Sequence, residues 1–171
     1  MIDSRMPDYS ITDLNISNKG LTKLPKDICK YANLKILNCY DNGLTSLDNL
    51  QLTLKELHCY NNNLTSLDNL EGTKGSSVPL PLTKSRELEG LKPSLPPTLK
   101  ELWCTENQIT SLDNLPSNLQ KLSCSINKLT SLDNLPPTLE ILDCINNPFT
   151  YDFEPTLENI RKHNTSRMLS S

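Results

Sequence analysis

Leucine and isoleucine recur along this chain in a frame that matches neither an amphipathic helix nor a simple alternating strand. From Leu34, apolar residues fall at the first, fourth, eleventh and fourteenth places, with a cysteine at the sixth and an asparagine at the ninth. The frame restarts at Leu54, Leu99 and Leu119 and, with small departures, at Leu139. An earlier copy starts at Ile11 and continues through Leu14, Ile16, Leu21 and Leu24. The steps between starts are 23, 20, 45, 20 and 20 residues. Within the frame, Thr-Ser-Leu-Asp-Asn-Leu occurs at Thr45, Thr65, Thr110 and Thr130. Self-similarity at so short a period predicts stacked units, each touching only its neighbours.

Each unit predicts one short strand over its L-x-x-L-x-C stretch, with Leu and Cys turned to one side. The strands are expected to stack in parallel, about 4.8 Å apart. Leu47, Leu67, Leu112 and Leu132 should turn the chain back and close each coil. The following segment is short and rich in proline, so the convex side is expected to be irregular. Only the first, 23-residue coil has room for a helical turn, predicted from Pro25 to Tyr31. A coil could not stand alone. It buries about six apolar side chains at roughly 1.5–3 kcal/mol each, less than the entropy cost of ordering about 20 residues. The expected fold is therefore a leucine-rich-repeat solenoid: about six stacked coils, a short parallel concave sheet, an irregular convex side and a C-terminal capping helix.

Two columns of the frame read as structural. Asn42, Asn62, Asn107, Asn127 and Asn147 occupy the ninth place, where the chain turns and backbone groups need partners; an amide offers both donor and acceptor. Cys39, Cys59, Cys104, Cys124 and Cys144 occupy the sixth place and face the core. Without C-x-x-C pairs, and with parallel side chains in matched register, they predict small buried hydrophobes rather than disulfides or a metal site. No metal and no cofactor is expected.

The chain divides accordingly. Residues 1–10 form an N-terminal cap, 11–70 repeats one to three, 71–95 an insertion loop, 96–152 repeats four to six, 153–164 a cap helix and 165–171 a disordered tail. The insertion begins with Gly72-Thr-Lys-Gly-Ser-Ser, has no asparagine and hides no further repeat. The cap helix is expected from Pro155, at a first helical position, to His163, with Arg161 and Lys162 near its C-terminal end.

Composition narrows the function. With 36% hydrophobic and only 5% aromatic residues, leucine builds most of the core. A net charge of −3 offers no footprint for nucleic acid or an anionic membrane. No run of apolar residues spans a bilayer, and the first ten residues lack the apolar stretch of a secretion signal, so a cytoplasmic, reducing setting is expected. The triplets starting at Asn15, Asn63 and Asn164 are read as chance matches to a glycosylation pattern. His58 and His163 should lie far apart, and Asp48, Asp68, Asp113 and Asp133 repeat one turn position. No enzyme is expected.

The outward strand positions vary while the core does not. The third column carries Ile36, Glu56, Glu101, Lys121 and Ile141; the fifth, Asn38, His58, Trp103, Ser123 and Asp143; the seventh, Tyr40, Tyr60, Thr105, Ser125 and Ile145. If the insertion loops out of the stack, Tyr40, His58, Tyr60 and Trp103 gather in one aromatic cluster, with Glu101 and Lys121 beside it. Trp and Tyr are the residues most enriched at binding hot spots. The site expected from these residues is a protein-binding concave face.

The unit from Leu95 to Asn114 resembles the short leucine-rich repeats of giant-virus (mimivirus-type) proteins. Its 20-residue length and Leu-Pro-x-x-Leu entry are also similar to the bacterial-effector class. The resemblance covers about Tyr9 to Asn164 apart from the insertion, and it implies a recognition module without catalysis. It further implies a viral protein at work in the host cytoplasm, a monomer whose unidentified protein partner belongs to the host cell. Two competing readings remain: a decayed repeat protein without a selected partner, and a metal or redox protein using the cysteine column.

Overall fold

A computed structural model describes residues 7–48, 50–67 and 95–168. Among them, six three-residue strands form one parallel sheet in chain order: β1 (Asp13–Asn15), β2 (Ile36–Asn38), β3 (Glu56–His58), β4 (Glu101–Trp103), β5 (Lys121–Ser123) and β6 (Ile141–Asp143). Their middle leucines are aligned from Leu14 through Leu37, Leu57, Leu102 and Leu122 to Leu142. The chain makes about five turns of a solenoid between the first strand and the last. β3 and β4 pair directly, with Glu56 opposite Glu101 and His58 opposite Trp103. The 45-residue step thus leaves the stack unbroken. The expected insertion over 71–95, Leu95 apart, lies outside the described residues.

The core is a column of leucines and thiols. Leu37, Leu57, Leu102 and Leu122 are buried on the strands, and Cys39, Cys59, Cys104, Cys124 and Cys144 follow them. Leu47, Leu67, Leu112 and Leu132 close the far side of each coil, also buried. On the convex side each strand is entered through a tight turn. Leu99, Leu119 and Leu139 donate their N–H to the carbonyls of Pro96, Pro116 and Pro136, three residues back, at 3.0, 3.0 and 3.1 Å. The predicted helical turn of the first coil is a 3-10 helix at Lys26–Lys30, anchored by buried Ile28.

Polar rows join the coils. Each ninth-place amide lies between its own coil and the one before. Asn107 Nδ2 donates to the carbonyls of Cys59, Cys104 and Thr105, while its Oδ1 accepts from Leu64 N–H at 3.0 Å. Asn62 and Asn127 repeat this pattern. A second row is made of threonines. The hydroxyls of Thr53, Thr98 and Thr138 reach back to carbonyls of the preceding coil, Thr98 lying 2.7 Å from both Leu52 and Leu54 oxygens.

The last coil is closed by α1 (Leu157–Met168). Its bounds correct two expectations. The N-cap is Thr156, whose hydroxyl accepts the Asn159 N–H, so Pro155 stands just outside the helix. At the other end the helix passes through Thr165 to Arg167, where the sequence predicts a disordered tail. The Thr165 and Ser166 hydroxyls bond back to the carbonyls of Arg161 and Lys162, and Arg167 pairs with Asp133 at 3.1 Å. Arg161 therefore lies in the first half of the helix, and its guanidinium donates to the carbonyls of Pro136, Pro137 and Leu139. No helix among the described residues is long and apolar enough to cross a membrane.

Candidate binding face

In β2, β3 and β4 the central leucine points into the core, so residues on either side face out on the concave surface. Parallel in-register pairing then brings like columns together. Tyr40 and Tyr60 stack with centroids 4.5 Å apart and planes 7° from parallel. His58 and Trp103 stack at 5.8 Å and 9°. The expected single aromatic cluster is thus two stacked pairs on adjacent columns. Trp103 keeps 38% of its surface exposed. Lys121 Nζ meets Glu101 Oε1 at 2.9 Å, and His58 Nε2 lies 3.9 Å from Glu56. The hydrogen bond to Glu101 and its charge, joined by Glu56 and Glu140, hold the Lys121 ammonium above the usual lysine range. Partial burial, then Tyr40 and Asp41, raise the Tyr60 phenol.

Three exposed isoleucines lie towards the C-terminal end, and the site expected from sequence did not include them. Ile141 opens β6 at 54% exposure, Ile145 follows that strand at 63%, and Ile126 follows β5 at 46%. Two were visible as third- and seventh-column residues. Ile126 sits at the eighth place, just past the strand.

The cysteine column has little means of redox chemistry at neutral pH. All six thiols are free, and only Cys29 is exposed. Burial pushes Cys39 and Cys104 up to about 12 and Cys144 up to about 11. Cys59 and Cys124 are raised well above the ordinary thiol value, by burial first and then by their neighbours. The reactive thiolate is thereby suppressed. Among the described residues no three His, Cys, Asp or Glu side chains gather as a metal site would require.

The remaining candidates are tied into turns and the cap. Ser46 and Ser131 donate to Asp48 and Asp133 at 2.7 and 3.0 Å, and Ser111 does the same to Asp113. Asp68 lies outside the described residues. His163 packs on Tyr151 and Phe153, on a different element from His58. The Asn164 amide donates to the carbonyls of Leu132 and Asp133, which occupies the nitrogen a glycan would need.

No family model matches the chain, and no curated protein does. Solved structures do resemble it. The leucine-rich-repeat domain of a Shigella effector is 28% identical with a TM-score of 0.65, over 86% of this chain and 54% of that one. YopM from Yersinia enterocolitica is also 28% identical at 0.65, over 90% of this chain and 28% of its own. The functional domain of InlJ from Listeria monocytogenes, described as including a cysteine ladder, is 25% identical over 91% of this chain and 39% of that one, with a TM-score of 0.47. The chain spans about half of the first of these proteins and less of the others. Its repeat register, unbroken parallel sheet and likeness to effector repeat domains together give it the leucine-rich-repeat solenoid fold.

Proposed function

We propose that this chain is a protein-interaction scaffold that holds its partner on the concave face, centred on Trp103 and Tyr60. The observation that carries the reading is the pairing of Tyr40 with Tyr60 and of His58 with Trp103, four rings set side by side on a rigid sheet. Each ring is braced by its neighbour, so binding loses little further side-chain freedom. The likeness to effector repeat domains supports a binding role in general. Catalysis finds no support here, because His58 and His163 sit on separate elements and the repeated carboxylates serve turns. Free thiols suit a reducing compartment such as the cytoplasm. The resemblance of the repeat unit to giant-virus repeats makes a host-cell protein the partner to look for, bound by a monomer.

The test is Trp103→Ala combined with Tyr60→Ala. Both rings project from the sheet, so far-UV circular dichroism should be unchanged while capture of the partner is lost. Losing two aromatic hot spots should weaken binding by about 4 kcal/mol, roughly a thousandfold. Full capture by a folded double variant would end this reading.

A further inference from the structure

Past Trp103 the concave face changes character. The fifth column continues as Ser123 and Asp143, and the seventh as Thr105, Ser125 and Ile145. His58 covers one face of the Trp103 ring, so the other is turned along the column over the small side chain of Ser123. Asp143, exposed, stands on the next strand. Between the two lies a floor of hydroxyls: Thr105 Oγ1 and Ser123 Oγ are 2.8 Å apart, and Ser125 and Ser123 each donate to one oxygen of Asp143, whose carboxylate has lone pairs left for a further donor. Ile145 borders this notch at 63% exposure.

Carboxylates outnumber ammonium groups on this face. On the outward strand and turn positions stand the carboxylates of Asp13, Asp41, Glu56, Glu101, Glu106 and Asp143. Among the described residues the ammonium facing them is Lys121, already held by Glu101. Lys35, Lys55 and Lys100 stand where the strands begin, on one rim. The notch therefore joins a free indole face, a carboxylate and an apolar edge, and that combination complements a cation carried on an alkyl stem.

Resting on the concave-face reading above, we propose that the partner presents a basic segment, one of whose arginine or lysine side chains lies over Ser123. The cation packs on the open face of Trp103, the aromatic side chain that attracts cations most strongly. On its other side it meets the Asp143 carboxylate, while its hydrocarbon stem covers Ile145. Both charges stay near water, so the ion pair adds selectivity and faster encounter more than affinity.

Trp103 is the single tryptophan of the chain, so its emission reports on the notch directly. The full chain is titrated with a blocked glycine-arginine peptide, its lysine counterpart and a citrulline counterpart of equal size without charge. The basic peptides should change the emission saturably, more weakly as salt rises, and the citrulline peptide should not. Asp143→Asn should weaken the basic peptides about fivefold, the scale of one exposed ion pair. An equal response to citrulline, or no effect of Asp143→Asn, overturns the inference. A displayed random-peptide library, selected on the wild-type chain and depleted on the Trp103→Ala, Tyr60→Ala variant, separates the two levels. Ring-dependent binders enriched in Arg or Lys support the basic partner. Ring-dependent binders without such enrichment overturn it and leave the concave-face reading standing, and a library with no ring-dependent binders overturns both.

Discussion

At the eighth place of every coil the backbone leaves the strand through a left-handed residue. Asn18, Asp41, Asn61, Glu106, Ile126 and Asn146 have φ between 51° and 56°. Asn and Asp tolerate that region; a β-branched residue does not, because its Cβ crowds the neighbouring carbonyl. Ile126 thus sits in a strained conformation, and at 46% exposure it recovers little by burial. Ile126→Asn, which restores the residue used at three sister positions, should raise stability by about 1 kcal/mol in urea unfolding. A loss of stability would mean that the Ile126 side chain has a packing role. The repeated left-handed turn also explains why the next residue is asparagine in five coils: its amide meets the carbonyls and N–H that the sharp turn frees. That role was readable because the same residue recurs in one place. The threonine row is hidden in the sequence for a physical reason. Thr53, Thr98 and Thr138 stand in Pro- and Leu-rich turn segments, where a hydroxyl is ordinary. Only the three-dimensional stacking shows the carbonyls it serves.

Among the elements, α1 shows how a repeat array ends. Within the stack, the carbonyl of the leucine that starts each frame, such as Leu54 or Leu119, and the carbonyl two residues before it receive the threonine of the next coil. The sixth coil has no successor to supply that donor, and Arg161 takes its place, reaching the carbonyls of Pro136, Pro137 and Leu139 at 3.2, 3.1 and 2.7 Å. Asn164 donates to the Leu132 carbonyl in the same way, while the Tyr151 hydroxyl accepts the Leu132 N–H. Arg161→Ala should therefore cost about 2 kcal/mol by stranding partly buried carbonyls, and Arg161→Lys, with one compact head, should recover only part of it. Thermal unfolding of the two variants checks this; equal stability of Arg161→Ala and wild type would show that water satisfies these carbonyls equally well. The existence of the cap helix was legible from Leu157 and Ile160 on one face. Its C-terminal end was not, because Thr165 and Ser166 are weak helix formers on paper and are held by back-bonding and by the Arg167 to Asp133 pair.

For the molecule as a whole, stacking ties the core thiols into a pH response. Below the ordinary thiol pKa of about 8.5 the folded and unfolded chains alike keep these protons. Above it the unfolded chain releases them, while burial holds the protons on Cys39 and Cys104 up to about 12 and on Cys144 up to about 11. The folded chain then binds more protons than the unfolded one, so stability falls as pH rises, by about 1.4 kcal/mol per pH unit for each buried thiol. Cys59 and Cys124 are shifted in the same direction. Five such groups give a slope of about 7 kcal/mol per pH unit, against a total stability of about 5–15 kcal/mol for an ordinary domain. The solenoid should thus be stable to about pH 9 and lose its fold within one or two units above that, by this linkage. Urea unfolding at a series of pH values measures the slope. Cys59→Val keeps a small apolar side chain in the column and removes one titrating group, so it should flatten the slope by about 1.4 kcal/mol per pH unit. The same slope in Cys59→Val and wild type would mean that the thiols ionise in place, in a core wetter than the burial of this column implies.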